Sequence, residues 1–227
     1  MNDGAANPGA THWEGPPLEA WHAWSPAEAL ARLRGVDARW CVVGGWSIDL
    51  FLGTITRTHA DLEIAIPRSE FPRVRAWLGA FELYVVGDGE VQKLAADAEP
   101  PAEKHQIWVL DREADAWRMD VMLEPGDATT WIFRRDSRIH APRARMIATT
   151  GSGIPYLKPE GALLFKAKAT TRTKDEADFA VCLPHLDPRA RRWLQEALAI
   201  THPGHAWIER LAEPPAEDSA ERPEPSR

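Results

Sequence analysis

Three carboxylates lie where the surrounding sequence predicts β-strands. Asp61 and Glu63 are two residues apart at the start of an apolar segment, so their side chains share one face of the strand. Asp120 lies within a second apolar strand, where aspartate is depleted. An Asp-x-Glu pair by itself is most often only a polar strand face, but neighbouring carboxylates repel each other unless a cation lies between them. The three together predict a catalytic site in which Asp61, Glu63 and Asp120 bind Mg²⁺, an ion that takes carboxylate oxygens, waters and phosphates.

A glycine pair precedes these acids. Val42 and Val43 end an apolar strand, and Gly44 and Gly45 connect it to a short helix predicted over Trp46–Leu52. Backbone N–H groups at a helix N-terminus bind anions, and a guanidinium beside them can clamp phosphate. The pattern therefore predicts a triphosphate site formed by Gly44, Gly45, Ser47 and Arg57.

Each of these residues also has a structural explanation. About half of such glycine pairs are tight turns without a ligand. Ser47 is equally suited to capping the helix, and Arg57 to a surface salt bridge. Asp49 is expected to brace the loop, and His59, which has no metal partner in the pattern, is expected to be structural.

The elements around the site change character along the chain. The first part alternates helices and strands, and these are predicted at Ser25–Arg34, Arg39–Val43, Trp46–Leu52, Leu62–Ile66, Ser69–Leu78, Phe81–Val86, and in a hairpin of His105–Leu110 and Trp117–Leu123. Short strands are expected between Trp131 and Ile154. Helices follow at Pro159–Thr170, Lys174–Leu183, Pro188–Ile200 and Gly204–Leu211. Strands followed by helices indicate an α+β fold, with a main domain over 18–157 and a helical C-terminal subdomain over 158–212.

Composition sets the class of protein. The 227 residues are 44% hydrophobic and 27% charged, as expected for a globular protein, and 1–17 and 213–227 are predicted to be a disordered arm and tail. The net charge of -7 argues against a nucleic-acid binder and fits a protein that holds divalent cations or a cationic small molecule.

With no membrane span or signal pattern, a cytoplasmic protein with reduced Cys41 and Cys182 is expected. The mixed-charge run from Lys166 to Asp178 is predicted to be mainly a solvated helix face.

The motifs taken together resemble a known superfamily. Gly-Gly-Trp-Ser-x-Asp from Gly44, Thr-Arg-x-His-x-Asp-Leu-Glu from Thr56, and Met119-Asp120-Val121 resemble the DNA polymerase beta-like nucleotidyltransferases. Within them, the chain looks most like the aminoglycoside 2''-adenylyltransferase and lincosamide nucleotidyltransferase group. The stretches from Tyr156 to Lys166 and from Arg172 to Asp175 resemble the C-terminal region of that group.

This resemblance implies a nucleotidyltransferase-like mixed sheet and a role for each motif residue. Asp61 and Glu63 would hold Mg²⁺ with the nucleotide, and Asp120 would be a further ligand or the base that activates the acceptor. Gly44, Gly45, Ser47 and Arg57 would hold the triphosphate, with Lys166 reaching the phosphates from the helical half. The implied reaction moves AMP from ATP, or from another nucleoside triphosphate, to a hydroxyl of a small molecule, as in antibiotic resistance to aminoglycosides or lincosamides.

The sequence departs from the pattern of this group at one position, and two other functions are alternatives to the transferase. Glu63 stands where many antibiotic-modifying members have Asp, and its longer arm changes where a metal would lie. A nucleotide-binding regulatory or antitoxin-like module without transferase activity is one alternative, and an enzyme that AMPylates proteins is the other. A monomer and a homodimer are both compatible with the sequence.

Overall fold

The structure is a computed structural model that describes residues 15–168 and 172–213. Its first half contains, in chain order, α1 (Pro26–Arg32), β1 (Cys41–Val42), α2 (Gly44–Leu52), β2 (Glu63–Pro67), α3 (Phe71–Trp77), β3 (Glu82–Gly87), β4 (Glu90–Lys93), β5 (Gln106–Asp111) and β6 (Ala116–Glu124). Its second half contains β7 (Thr130–Ile132), β8 (His140–Pro142), α4 (Arg143–Met146), β9 (Ile147–Thr149), β10 (Pro155–Leu157), α5 (Pro159–Lys166), α6 (Thr173–Cys182), α7 (Pro188–Thr201) and α8 (Trp207–Ala212). Short 3₁₀ turns lie at Arg68–Glu70 and Leu183–His185.

Eight strands form one mixed sheet in the order β4-β3-β5-β6-β2-β1-β10-β9, and β7 pairs with β8 in a separate hairpin. The pairs β2–β6 and β1–β10 are parallel, and the other neighbours in the large sheet are antiparallel. Four helices follow the last strand. The predicted mixed sheet with flanking helices, followed by C-terminal helices, is confirmed.

The sheet separates two apolar cores. Alternate residues of β2 and its approach, Leu62, Ile64 and Ile66, are fully buried together with residues of α1 and α3. The intervening Ala65 faces the opposite side, where it packs into a core with α2, the β7–β8 hairpin and the C-terminal helices. A strand places successive side chains on opposite faces, so Glu63 shares the face of Ala65. The carboxylates are therefore directed toward the helical half of the protein.

Several element boundaries differ from the sequence-based expectation. α2 begins at Gly44, so the glycine pair forms its first turn rather than a loop before it. Ser69 does not cap α3, because it lies in a 3₁₀ turn that leads directly into the helix. β4 lies between the predicted strand Phe81–Val86 and the predicted hairpin, where the sequence predicts no element, and its mostly exposed side chains explain why no apolar alternation marks it. The predicted hairpin of β5 and β6 is confirmed.

The segments predicted to be disordered fall mostly outside the described residues. Of the arm, only residues 15–17 are described, and the carbonyl of Pro17 accepts a hydrogen bond from the indole of Trp117 at 3.2 Å. Of the tail, only Glu213 is described. Among the described residues, no helix is both long and apolar enough to cross a membrane.

Candidate active site

Two of the three predicted acids lie directly opposite each other in the sheet. β2 and β6 run parallel, and the register pairs Glu63 with Asp120. Asp61 lies two residues before Glu63, ahead of the start of β2. The pairing of β2 with β6 thus brings together Glu63 and Asp120, which are far apart in sequence. The face of the sheet toward the C-terminal helices carries a cluster of carboxylates.

The Asp120 carboxylate is held in an environment that disfavours its charge. Burial raises the pKa of Asp120 well above its ordinary value, and the charges of Glu63 and Asp61 raise it further. Its Oδ2 accepts hydrogen bonds from Gln106 Nε2 at 2.5 Å and from Trp108 Nε1 at 3.3 Å. Its Oδ1 is buried and has no hydrogen-bond partner among the described residues. An acceptor atom in this state is suited to bind a cation or a ligand proton.

Glu63 belongs to the same electrostatic cluster. Burial raises the pKa of Glu63, and the charge of Asp61 raises it further, while the charge of Lys166 opposes both. Its carboxylate also lies directly against the glycine turn: a Cβ atom at Gly44 would overlap Glu63 Oε2. Gly44 has a φ of +65°, a conformation that L side chains rarely adopt. Glycine therefore suits this position in two ways. It adopts the positive φ, and its lack of a side chain leaves room for the Glu63 carboxylate.

The next glycine allows a cation to approach the helix start. A Cβ atom at Gly45 would overlap the Arg57 guanidinium and come within 2.7 Å of His59 Nδ1. The first N–H groups of α2 have no partner within the helix, so they remain available to an anion. Ser47 does not share this role, because its fully buried hydroxyl donates to the Gly44 carbonyl at 2.9 Å. Ser47 thus braces the turn.

Asp49 and His59 fix the loop between α2 and the acids. Asp49 Oδ1 accepts from the backbone N–H and hydroxyl of Thr56 at 3.1 and 2.5 Å, and Asp49 Oδ2 lies 2.5 Å from His59 Nε2. The His59 ring stacks on Trp46, with ring centroids 4.3 Å apart. Both residues have the structural roles expected of them.

A buried carboxylate of the helical half holds the predicted phosphate ligands. Asp178 accepts two hydrogen bonds from Arg57, at 3.1 and 3.2 Å, and pairs with Lys166 at 2.7 Å. Asp175 lies 3.5 Å from Lys166 and pairs with Arg172 at 2.7 Å. Burial alone would raise the pKa of Asp178, but the hydrogen bonds from Arg57 and Lys166 hold it below its ordinary value.

The expectation of a mainly solvated helix face is therefore wrong for α6. Asp175 and Asp178 are 0% and 2% exposed. A signal for this was present in the sequence, because Asp175, Asp178, Phe179 and Cys182 have the i, i+3, i+4, i+7 spacing of one helix face. Two acids on an otherwise apolar face indicate buried ion pairs rather than solvated charges.

Two cavities of about 460 Å³ each flank Glu63. The first, called the glycine-side cavity, is lined by Gly45, Trp46, Arg57, Thr58, His59, Ala60, Asp61 and Lys174. The second, called the sheet-side cavity, is lined by Gly44, Ala65, Gln106, Met122, Leu123, Glu124, Ile132, Arg134, Arg135, Leu157, Ala162, Phe165 and Lys168. Val43, Glu63, Lys166 and Arg172 line both. A larger cavity of about 900 Å³ beside α3 contains none of the predicted site residues.

The donor set suits Mg²⁺ without forming a closed metal site. Among the described residues, no group of three His, Cys, Asp or Glu side chains is arranged to hold a metal ion. Mg²⁺ needs only one or two carboxylates when phosphates and waters complete its shell. A cation would supply a partner for Asp120 Oδ1 and would reduce the repulsion among the acids.

The fold and this site define a nucleotidyltransferase: a mixed sheet carries carboxylates on adjacent strands beside a glycine turn and a cationic cleft. The chain belongs to the aminoglycoside-2''-adenylyltransferase family, whose sequence profile matches residues 27–181. An adenylyltransferase of this family takes AMP from a nucleotide co-substrate and moves it to a hydroxyl of a small molecule. No curated protein sequence matches the chain.

Solved structures of similar fold include two antibiotic-modifying enzymes. The solution structure of the antibiotic-resistance factor ANT(2'')-Ia has a TM-score of 0.50 at 14% identity, over 81% of this chain and 92% of that one. Its complex with adenylyl-2''-tobramycin has a TM-score of 0.48 at 14% identity, over 77% and 95%. The lincosamide antibiotic adenylyltransferase LnuA with bound lincomycin has a TM-score of 0.47 at 15% identity, over 68% and 91%. At this identity the likeness concerns the fold alone.

Replacing Gly44 by alanine tests the packing of the turn against Glu63. Gly44→Ala should lower transfer activity about 100-fold, because the new Cβ displaces a carboxylate of the site. Gly53→Ala is the matched control, since Gly53 ends the same helix with a φ of +70° and open space around it. Both variants should lose about 1–2 kcal/mol of unfolding free energy from backbone strain. Equal activity of the two variants would contradict the role assigned to Gly44.

Replacing Asp178 by asparagine tests the ion pairs between the halves. Asp178→Asn should lower the free energy of unfolding at pH 7 by about 3 kcal/mol, because Arg57 loses its carboxylate partner and Lys166 keeps only the more distant Asp175. The folded pKa of Asp178 is depressed, so its contribution is present above about pH 4 and is lost as the pH falls through the lower folded value. Urea unfolding at pH 7 and pH 3 should show the difference from the parent protein shrinking in acid.

The control for this measurement is Asp88→Asn, which breaks the exposed pair of Asp88 with Lys104 by the same substitution. It should leave the unfolding free energy nearly unchanged at pH 7. A difference between Asp178→Asn and the parent that does not depend on pH would show that the carboxylate charge is not what stabilises this junction.

Proposed function

We propose that the protein transfers AMP from ATP to a hydroxyl of a small molecule, with Asp61, Glu63 and Asp120 as its catalytic acids. The pairing of Glu63 with Asp120 across β2 and β6, beside the start of α2, is the observation that carries this proposal. Family membership supports the same reaction. The two free, buried cysteines, Cys41 and Cys182, support a reducing compartment such as the cytoplasm.

The triphosphate fits the glycine-side cavity. The first N–H groups of α2 supply donors for phosphate oxygens, and Arg57 lies against Gly45 at the same point. Lys166, Arg172 and Lys174 add positive charge around the cavity. As pyrophosphate leaves, these cations would neutralise the charge that accumulates on it.

Mg²⁺ would be held by Asp61 and Glu63, with phosphate oxygens and waters completing its shell. When bound, the ion would polarise the α-phosphate and offset charge on the leaving group. The longer side chain of Glu63 is compatible with binding Mg²⁺, because Gly44 has no side chain that would collide with it.

Asp120 is assigned to the acceptor hydroxyl. Its Oδ1 has no partner among the described residues, while Gln106 and Trp108 fix the carboxylate through Oδ2. A carboxylate with a raised pKa is a stronger base than an ordinary one. Asp120 would take the hydroxyl proton as the oxygen forms its bond to the α-phosphorus and the bond to pyrophosphate breaks in line.

Asp61→Asn tests the assignment of the acids. The variant should lose at least about 100-fold in pyrophosphate release while remaining folded, because it removes a ligand of the Mg²⁺ that would offset charge on the reacting phosphates. Asp115→Asn, at an exposed turn between β5 and β6, is the matched control and should keep full activity. Release should be followed with Mg²⁺-ATP and a panel of hydroxyl acceptors. Retained transfer in Asp61→Asn would refute the proposal.

Two further measurements separate the alternative functions. A regulatory nucleotide-binding module would bind Mg²⁺-ATP in a calorimeter but release no pyrophosphate with any acceptor. A protein AMPylating enzyme would leave a labelled polypeptide after incubation with radiolabelled ATP and cell extract. The proposed reaction instead requires a labelled small molecule.

A further inference from the structure

The sheet-side cavity carries two arginines that the proposed reaction leaves without a role. Arg134 and Arg135, here called the arginine pair, form a turn directly after Phe133, which is buried in the helical-side core. Backbone hydrogen bonds close this turn, from Phe133 to the carbonyl of Ile139 at 2.9 Å and from Asp136 to the carbonyl of Phe133 at 3.1 Å. The arginine pair is therefore anchored to the core at the cavity wall.

Neither arginine has a carboxylate partner within residues 15–168 and 172–213. Arg135 donates a hydrogen bond to the carbonyl of Phe165 at 2.9 Å, and its guanidinium lies 5.4 Å from the centroid of that ring. Arg134 makes no hydrogen bond or ion pair in these ranges. Burial lowers the pKa of both groups, and the charge of Arg134 lowers that of Arg135 further, while the charge of Asp175 opposes these effects on Arg135. Two adjacent cations that form no ion pair with any described residue make a site suited to an anion.

The carboxylates beside the arginine pair in the chain, on the cavity wall or acting on Arg135 are bound to other cations, except Glu63. Asp175, whose charge raises the pKa of Arg135, pairs with Arg172 at 2.7 Å. Asp136, the next acid along the chain, pairs with Arg138 at 2.6 Å. Glu124, which lines the sheet-side cavity but not the other one, is buried and pairs with Arg143 at 2.7 Å. The three residues that separate the two described ranges, 169–171, carry no charge in the sequence. The wall therefore has five cationic side chains and two carboxylates, Glu124 and Glu63.

The position of this cavity suits the acceptor rather than the nucleotide. The glycine-side cavity holds the start of α2 and Asp61, where the triphosphate is proposed. The sheet-side cavity extends from Glu63 along the sheet face to Met122 and Gln106. Gln106 donates directly to Asp120, the acid assigned to the acceptor hydroxyl. A molecule in this cavity therefore reaches the reacting acids along the sheet face, past Gly44 rather than past Gly45 and Arg57.

We propose that the acceptor carries an anionic group, a phosphate or a carboxylate, and that the arginine pair binds it. This inference rests on the function proposed above and names the chemical class of its second substrate. The planar guanidinium group binds either oxyanion through parallel N–H donors. A polycationic acceptor, such as an aminoglycoside, would bring positive charge to a wall that offers it no unengaged carboxylate except Glu63.

A binding experiment tests the site without knowledge of the natural acceptor. The full-length protein is saturated with Mg²⁺ and a non-hydrolysable ATP analogue, so that the glycine-side cavity is filled. Labelled inorganic phosphate and labelled citrate are then titrated in separate equilibrium dialysis series, with tobramycin as the cationic comparison. At least one anion should bind, and Arg134→Ala and Arg135→Ala should each weaken that binding about tenfold or more.

Arg73→Ala is the matched control, because Arg73 is an exposed arginine of α3 that forms no ion pair among the described residues and does not line the cavity. It should leave anion binding unchanged. The series that binds distinguishes a phosphate group from a carboxylate. Absence of binding by both anions, binding that is insensitive to both Arg134→Ala and Arg135→Ala, or tighter binding of tobramycin than of either anion would overturn the inference.

Turnover then separates this inference from the proposed function. Pyrophosphate release is measured with sugar phosphates, sugar acids, neutral sugars, aminoglycosides and lincosamides. An anionic acceptor should be preferred, and Arg135→Ala should raise its KM about tenfold while the KM for ATP stays constant. Preference for an aminoglycoside, or a rise in the KM for ATP alone, would overturn the inference and leave AMP transfer intact. Anion binding without pyrophosphate release from any acceptor would instead refute the proposed function.

Discussion

The carboxylate of Asp178 holds the two halves of the site together. It binds Arg57, from the loop that precedes the acids, and Lys166, from the first C-terminal helix, and it is almost fully buried. A buried carboxylate is stable as an anion only when cations and hydrogen bonds compensate its lost hydration. The position of Arg57 against Gly45, and so the shape of the glycine-side cavity, depends on this compensation.

The pKa of Asp178 is lowered, whereas the pKa values of the carboxylates on β2 and β6 are raised. Asp120 and Glu63 face each other on parallel strands. Burial raises the pKa of both, and the charge of Asp61 raises both further, while the charge of Glu63 adds to the rise at Asp120. The core residues on the other face of the same strands keep this register, because a shift of one residue would move Leu62 and Ile64 to the opposite face and turn Glu63 into the apolar core behind the sheet. The apolar packing behind the sheet thus maintains an arrangement of charge that is unfavourable by itself. Such strained arrangements are typical of functional sites.

The two cavities differ in what they offer a ligand. The glycine-side cavity combines backbone donors, cations and acids, as a nucleotide with a metal ion requires. The sheet-side cavity adds an arginine pair and no further unengaged acid. Membership of the aminoglycoside-2''-adenylyltransferase family therefore defines the chemistry of transfer, while the proposed anionic acceptor rests on the charges of this particular wall.

Local patterns in the sequence determined much of the site. The spacing of Asp61 and Glu63, the glycine pair, and an aspartate inside an apolar strand predicted which face and which turn hold the candidate site, because strand and turn preferences act over a few residues. Only the tertiary structure decided the register of Glu63 with Asp120, the burial of Asp178 beneath Arg57, and the place of the arginine pair. Arg57 and Asp178 are 121 residues apart, and contacts over that distance are set by how strands and helices pack together, which no local preference encodes.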